Sequence, residues 1–469
     1  VGDRPAEYLA ITAEHYERAG DHAKALDYFH RAARDAQKRF ANQSALEYTE
    51  RALRNPAATD PRQRDRLYWY QHGVADLVGR RALQETALAE RAEIAESLDD
   101  DAMRADVLAS RALLASRRGD EALAFDLATQ AAEVAGRSGN DEAGALALGQ
   151  IAWSRYYQGD IELALRDARD AVGRARQALA DEMTPAREAL EVQTLTLRAI
   201  IEQSTGDLVQ ARTTLNEALS LARERGFRRP AIAALETLGV LERRIGNYAQ
   251  ALSCFEASTA RAAEIGWTKF TASGRYEMAC CSIDLGQPAL ALEQLAAAES
   301  DALRCESRSG QARCLHLRAR VEAAAGNGHA AEALFGRAGA MFESIAAPAF
   351  ACQVSADQAL LYLAEGRLAE AGQLVEKINA DLEAGLSLAA TDDVLSPRLA
   401  CHRVWAATGD PRAAEAINTA HAELQALVAK SGDEDTRLSI LENVLLHREI
   451  IAAWAAQQAG SDKTVFGRC

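Results

Sequence analysis

Three sets of residues in this 469-residue chain could do chemistry. Glu14 with His15, and Asp357 with its neighbours, could pass protons as acid–base pairs. Cys314 with His316 offers two zinc-type ligands, within a total of eight cysteines: Cys254, Cys280, Cys281, Cys305, Cys314, Cys352, Cys401 and Cys469. Gly460-Ser461-Asp462-Lys463-Thr464 has the outline of a phosphate-binding loop. Each falls short of a site. Adjacent acid and base residues are common on helix surfaces. A zinc site needs more ligands, at CxxC-type spacing, which these cysteines lack. The phosphate loop lacks its first glycine and its spacing. No catalytic, cofactor or metal site is therefore expected, and the cysteines read as reduced, buried, small apolar side chains.

The elements that carry these residues are helices, and they repeat. Glycines stand at 79, 119, 159, 206, 246, 286, 326, 366 and 409, with an earlier one at Gly20. Most steps are of 40 residues, a period that signals a solenoid. Small residues keep register with them. Ala124, Ala164, Ala211, Ala251, Ala291, Ala331 and Ala371 follow each glycine by five. Ala112, Ala152, Ala199, Gly239, Ala279, Ala319 and Ala359 precede it by seven. Close helix contact requires short side chains at such positions. The glycines end one helix in the left-handed region, and Asp120, Asp160, Asp207 and Asn247 cap the next. The Gly79 copy is degenerate, with Gln84 and Arg91 where small residues belong. No alternating strand pattern of any length occurs.

This spacing resembles the tetratricopeptide repeat, with a longer step of 40 residues that lengthens either the helices or the loops between repeats. The resemblance implies an all-α, right-handed superhelical solenoid of about ten antiparallel helix pairs. The AEHYERAGD, KALDYFHRAA and FANQSALEYTERAL stretches resemble the start of the repeat region in bacterial STAND-type regulators. Those proteins carry a P-loop ATPase module ahead of the repeats, and some carry a nucleotide-cyclase or DNA-binding domain. Six segments follow: 1–54, an N-terminal helical segment; 55–100, a degenerate repeat; 101–385, regular repeats; 386–432, a looser repeat; 433–459, one long capping helix; and 460–469, a tail expected to fray. The 47-residue step before Gly206 is assigned to seven extra loop residues near Ala180–Pro185.

In the family the first helix of each pair lines a concave wall, at ten, six and three residues before the turn glycine. Carried across, these offsets give Trp153 and Tyr156, then Glu236 and Arg243, then Tyr276, then His316 and Arg320, with Arg313 one helical turn before His316. As a groove they would offer aromatic contact area and a basic wall suited to an acidic segment of a protein or peptide partner. Read plainly, the aromatics fill gaps between repeats and the arginines are solvated. The family's two-carboxylate clamp needs Lys and Asn at set inner positions, and that set is missing here.

Composition bounds the partners. With 53 basic and 68 acidic residues, the net charge of −15 opposes nonspecific binding to nucleic acid and to anionic membranes. No stretch of about 20 apolar residues and no signal core are present, so a cytoplasmic protein is expected. The chain begins at Val1, which fits either the later part of a longer protein or a valine start codon. The first expectation is a non-enzymatic scaffold or sensor for protein binding in signal transduction. An alternative is the C-terminal half of an ATPase or nucleotide-cyclase enzyme whose catalytic domains lie upstream. Another is a small-ligand sensor, which a closed apolar pocket near Trp153 would favour.

Overall fold

The computed structural model describes residues 6–389, 391 and 393–466, with 23 α-helices and no strand among them. The opening helices are α1 (Ala6–Arg18), α2 (His22–Lys38), α3 (Asn42–Arg54), α4 (Pro61–Val78) and α5 (Arg81–Ser97). The regular pairs are α6 (Asp101–Arg118) with α7 (Glu121–Ser138), α8 (Asp141–Gln158) with α9 (Ile161–Asp181), α10 (Pro185–Ser204) with α11 (Leu208–Glu224), and α12 (Arg228–Ile245) with α13 (Tyr248–Glu264). Next come α14 (Thr268–Asp284) with α15 (Pro288–Arg304), α16 (Arg308–Ala324) with α17 (Gly328–Ser344), and α18 (Pro348–Ala364) with α19 (Leu368–Glu383). The chain ends with α20 (Ser396–Thr408), α21 (Arg412–Ala429), α22 (Glu434–Glu442) and α23 (Leu445–Phe466). Together they coil into a right-handed superhelix of about ten antiparallel pairs.

Local chemistry explains where each helix stops. Gly119, Gly159 and Gly246 sit at φ of 84°, 89° and 88°, which costs a glycine little and any other residue about 1–2 kcal/mol. Asp120 and Asp207 then accept the backbone N–H three residues on, at 3.1 and 3.0 Å. Pro61, Pro185, Pro288 and Pro348 occupy first turns, where no helical donor is lost. Between helices the small residues are fully buried, among them Ala112, Ala124, Ala131 and Ala251. At Gly239 the Phe255 ring lies 2.6 Å from the point a Cβ would occupy, so this glycine admits the largest fully buried side chain of its pair. The longer step goes into the helices, most of which run 17–18 residues in the regular repeats, with short turns between them.

Three expectations need correcting. The Gly20 turn is out of register with the turns inside pairs. The turn that keeps register is at Phe40, where φ is +57°, and Ala33, Ala45 and Ala52 are buried around it at the repeat's offsets. Thus α2 pairs with α3 and packs against α4 as first helices of neighbouring pairs do, while α1 takes a second-helix position. The extra residues near 180 lengthen α9 to 21 and α10 to 20 residues rather than forming a loop, because alanines sustain the helix up to the Thr184 cap. The helix expected over 433–459 is two helices, broken where Asn443 turns its amide to the Gly246 carbonyl at 3.3 Å. Of the expected tail, residues 460–466 continue α23, and 467–469 lie outside the described residues.

Successive superhelical turns rest on one another. A Cβ on Gly79 would lie 3.0 Å from Cys305, one on Gly119 3.3 Å from Ile345, and one on Gly159 2.3 Å from Ser387. Hydrogen bonds cross the same seam, from Asn42 to the Ile265 carbonyl (3.0 Å, 223 residues apart) and from Lys430 to the Thr205 carbonyl (2.8 Å, 225 residues apart). One superhelical turn therefore brings the within-pair turns at Phe40, Gly79, Gly119, Gly159 and Gly206 onto turns between pairs further along the chain. The inner wall closes round a central space.

Candidate functional site

The inner helices α6, α8, α10, α12, α14, α16 and α18 surround one cavity of about 1140 Å³, with further walls from the ends of α5 and α15. Trp153, Tyr157, Phe270, Tyr276 and Phe350 supply aromatic faces, with Leu113, Leu146, Leu197 and Ile200 between them. The Trp153 and Tyr157 rings meet edge-on at 5.1 Å. Gln150, Thr196 and Ser273 add hydrogen-bonding groups. This mixture suits a ligand with apolar bulk and a few polar atoms.

Two ionisable groups in the wall are displaced towards neutral pH. Burial, reinforced by Glu277, pushes the Glu236 carboxyl up to about 8, although Ser273 Oγ donates to its Oε1 at 2.7 Å. Its Oε2 is buried without a hydrogen-bond partner. Enclosure within the ring of helices lowers Lys269 to about 8, with Arg117 and Arg81 adding repulsion. Its side chain stays accessible and lines the cavity.

Of the eight residues picked out in the sequence, Trp153, Glu236, Tyr276 and Arg313 come together at this cavity. Tyr156 does not line it. Its hydroxyl crosses the seam to the Ala389 carbonyl at 3.0 Å and receives the Ser204 hydroxyl at 3.2 Å. Arg243, His316 and Arg320 also lie outside the lining.

The expected basic wall is corrected by its partners. Arg313 and Arg243 reach Glu277 at 2.8 and 3.3 Å, and Arg243 lies 3.6 Å from Asp284. His316 and Arg320 both reach Asp357, at 2.7 and 3.7 Å. Burial pulls Asp357 upward, but Arg320 and His316 outweigh it and hold its carboxyl below the usual range. Nearby, burial raises Asp393 to about 6. The carboxylates come from neighbouring helices, so reading one helix at a time misses them. Arg313 also stacks over Tyr276 at 4.2 Å.

The sequence reading missed Arg81, Arg117 and Lys269. Lys269 lies two helical turns before Tyr276, so extending the inner stripe by seven residues would have found it. Glu14, a candidate proton carrier, is instead paired with Arg51 at 2.6 Å. Seven described cysteines are free and buried. No group of three metal-ligating side chains occurs among the described residues, and no helix among them is long and apolar enough to cross a membrane.

Residues 190–264, spanning α10 to α13, match the family model described as Tetratricopeptide repeat. These are tetratricopeptide repeats. No curated protein sequence matches the chain. In three dimensions the tetratricopeptide superhelix is similar to a Rap protein complexed with Competence and Sporulation Factor. The TM-score is 0.57 at 15% identity, covering 83% of this chain and 100% of that one. Weaker likenesses include the quorum sensor NprR from B. thuringiensis, with a TM-score of 0.47 at 14% identity, covering 78% and 99% of the two chains. The STAND protein with a tetratricopeptide repeat sensor from Pyrococcus horikoshii gives 0.42 at 14%, covering 83% of this chain and 52% of that one. At these identities the tetratricopeptide likeness concerns the fold.

Proposed function

We propose that the chain is a regulatory sensor whose superhelix binds a short peptide in its central cavity. The observation that carries this is the cavity itself, one space of about 1140 Å³ walled by the inner helices of successive repeats. Typical small-molecule sites occupy roughly 300–1,000 Å³, so this space has room for a chain of a few residues. Its aromatic faces suit apolar side chains, and Gln150, Thr196 and Ser273 suit backbone amides. The similarly folded Rap protein is complexed with Competence and Sporulation Factor, which supports a ligand-binding role for this superhelix. As part of a STAND-type regulator, the module would restrain or release an attached ATPase or output domain through a difference in affinity between two states. A second reading, a small-ligand sensor, is favoured by the aromatic closure around Trp153.

The test uses the full chain and a randomised hexapeptide pool of known composition. Retained peptides are separated by gel filtration and sequenced by mass spectrometry. A defined sequence class should be retained by the wild type and lost in Trp153→Ala, with helicity unchanged by circular dichroism. No retention, or retention indifferent to Trp153→Ala, would overturn the proposal.

A further inference from the structure

The cavity wall carries more positive charge than its own carboxylates neutralise. Asp76, a buried residue of α4, is shared by three arginines: Arg81 at 3.0 Å, Arg229 at 3.4 Å, and Arg117. Arg117 Nε is buried without an acceptor. Arg229 packs over the Trp267 ring at 4.6 Å, and neither residue lines the cavity. Lys269 stands across from them on α14 and makes no ion pair or hydrogen bond among the described residues. Arg81, Arg117 and Lys269 all line the cavity, and the two arginines are near enough to repel Lys269.

Among the described residues, none of the other charged or titratable groups nearby makes an ion pair with this set: Glu121, raised by burial, accepts from the Ser116 and Ser154 hydroxyls, and Asp65 and Asp106 both pair with Arg91 at 2.7 Å. Glu236 is held largely protonated at neutral pH. Burial lowers His72 to about 4, which leaves it neutral, and Cys305 is raised by burial. Arg118 is already paired with Glu85 at 2.8 Å. Glu306 acts on Arg81 from an exposed position without contacting it. Three arginines therefore share one carboxylate, and Lys269 adds a fourth positive charge near enough for Arg117 and Arg81 to act on it. Buried charge of one sign is costly unless something neutralises it. Burial works against the charge on both Arg117 and Arg229, and Asp76 is the carboxylate that offsets it.

We propose that Arg81, Arg117 and Lys269 form an anion-binding subsite for a carboxylate or phosphate group on the ligand that enters the cavity. Planar guanidinium groups and an ammonium offer several donors to such oxygens, and charge-assisted hydrogen bonds are the strong kind. The apolar walls receive the rest of the ligand. Glu236, with its proton on the unpartnered Oε2, donates one hydrogen bond to it. This inference rests on the cavity being a ligand site, and it names the side chains at which the ligand is anchored.

The experiment uses the full chain and two probes: inorganic phosphate, compared with sodium chloride at equal ionic strength, and the hexapeptide pool with free or amidated C-termini. Either phosphate raises the melting temperature of the wild type beyond the chloride control, or free-acid peptides bind about tenfold more tightly than amidated ones. The first response identifies a phosphate-bearing ligand and the second a peptide carboxylate. Lys269→Gln abolishes the response yet melts at or above the wild-type temperature, because it removes one crowded cation. That separates loss of the site from loss of the fold. Peptides bound equally by wild type and Lys269→Gln, with no phosphate response, would overturn the anion subsite and leave the peptide reading standing. A phosphate response lost in Lys269→Gln, with no peptide retained, would support the subsite and overturn the peptide reading. A Lys269→Gln protein less stable than the wild type would refute the excess of positive charge.

Discussion

Replacing Glu236 by Gln should stabilise the protein, and only above acid pH. The carboxyl titrates at about 8 in the fold against 4.5 for an ordinary glutamate. Between those values the folded chain holds a proton that the unfolded chain has released. Stability contributed by this group is present below pH 4.5, falls as pH rises, and levels off above about 8. Each unit corresponds to about 1.4 kcal/mol, so at pH 7 the penalty has a ceiling of about 3 kcal/mol. Glu236 is half-buried and open to the cavity, which reduces the figure to about 1–2 kcal/mol. Glutamine keeps the carbonyl oxygen that accepts from Ser273 and carries no charge to desolvate. The charged neighbours Glu277, Lys269 and Arg313 remain in place. Melting temperatures of both proteins at pH 5, 7 and 8.5 provide the assay. For a long chain about 1–3 °C of separation is expected at pH 7 and 8.5, with near coincidence at pH 5. A difference that does not vary with pH, or a glutamine protein that melts lower at pH 7, would refute the reasoning.

Two further substitutions probe the architecture. Gly159→Ala and Gly366→Ala both place a methyl group at positive φ, but only the first drives it onto Ser387, whereas Gly366 has nothing within 4 Å. Gly159→Ala should cost about 1–3 kcal/mol more and enlarge the radius of gyration measured by X-ray scattering, while equal effects would contradict the seam. Ala251→Leu should cost about 1–3 kcal/mol by overpacking α13 against Cys281 of α14, beside Phe255, and an unshifted melting temperature would count against close packing there.

The repeat was legible because its signals are local. A glycine, an aspartate and three small residues lie within about twenty positions of one another, and each has a backbone or packing reason to be there. Phe40 hid the first turn because it takes the glycine's conformation without being glycine. Trp153, Glu236, Tyr276 and Arg313 could be placed on the inner wall from offsets alone. Their partners could not. Glu277 and Asp357 neutralise the arginines from adjacent helices, and Asp76 meets Arg229 from 153 positions away. Those meetings depend on the pitch of the superhelix. Pitch accumulates from small rotations between pairs, and no single residue records it.

Contacts between superhelical turns change how such an array can come apart. In an open stack each unit answers only to its neighbours, and disorder spreads along one dimension. Here the coils rest on each other like those of a compressed spring. Freeing α2 and α3 from one end also uncovers the turn after α13. Melting should therefore be more concerted, and folding slower, than the local pairing of helices would dictate. Any molecule that reaches the bore must either thread along its axis or part the coils on the way in.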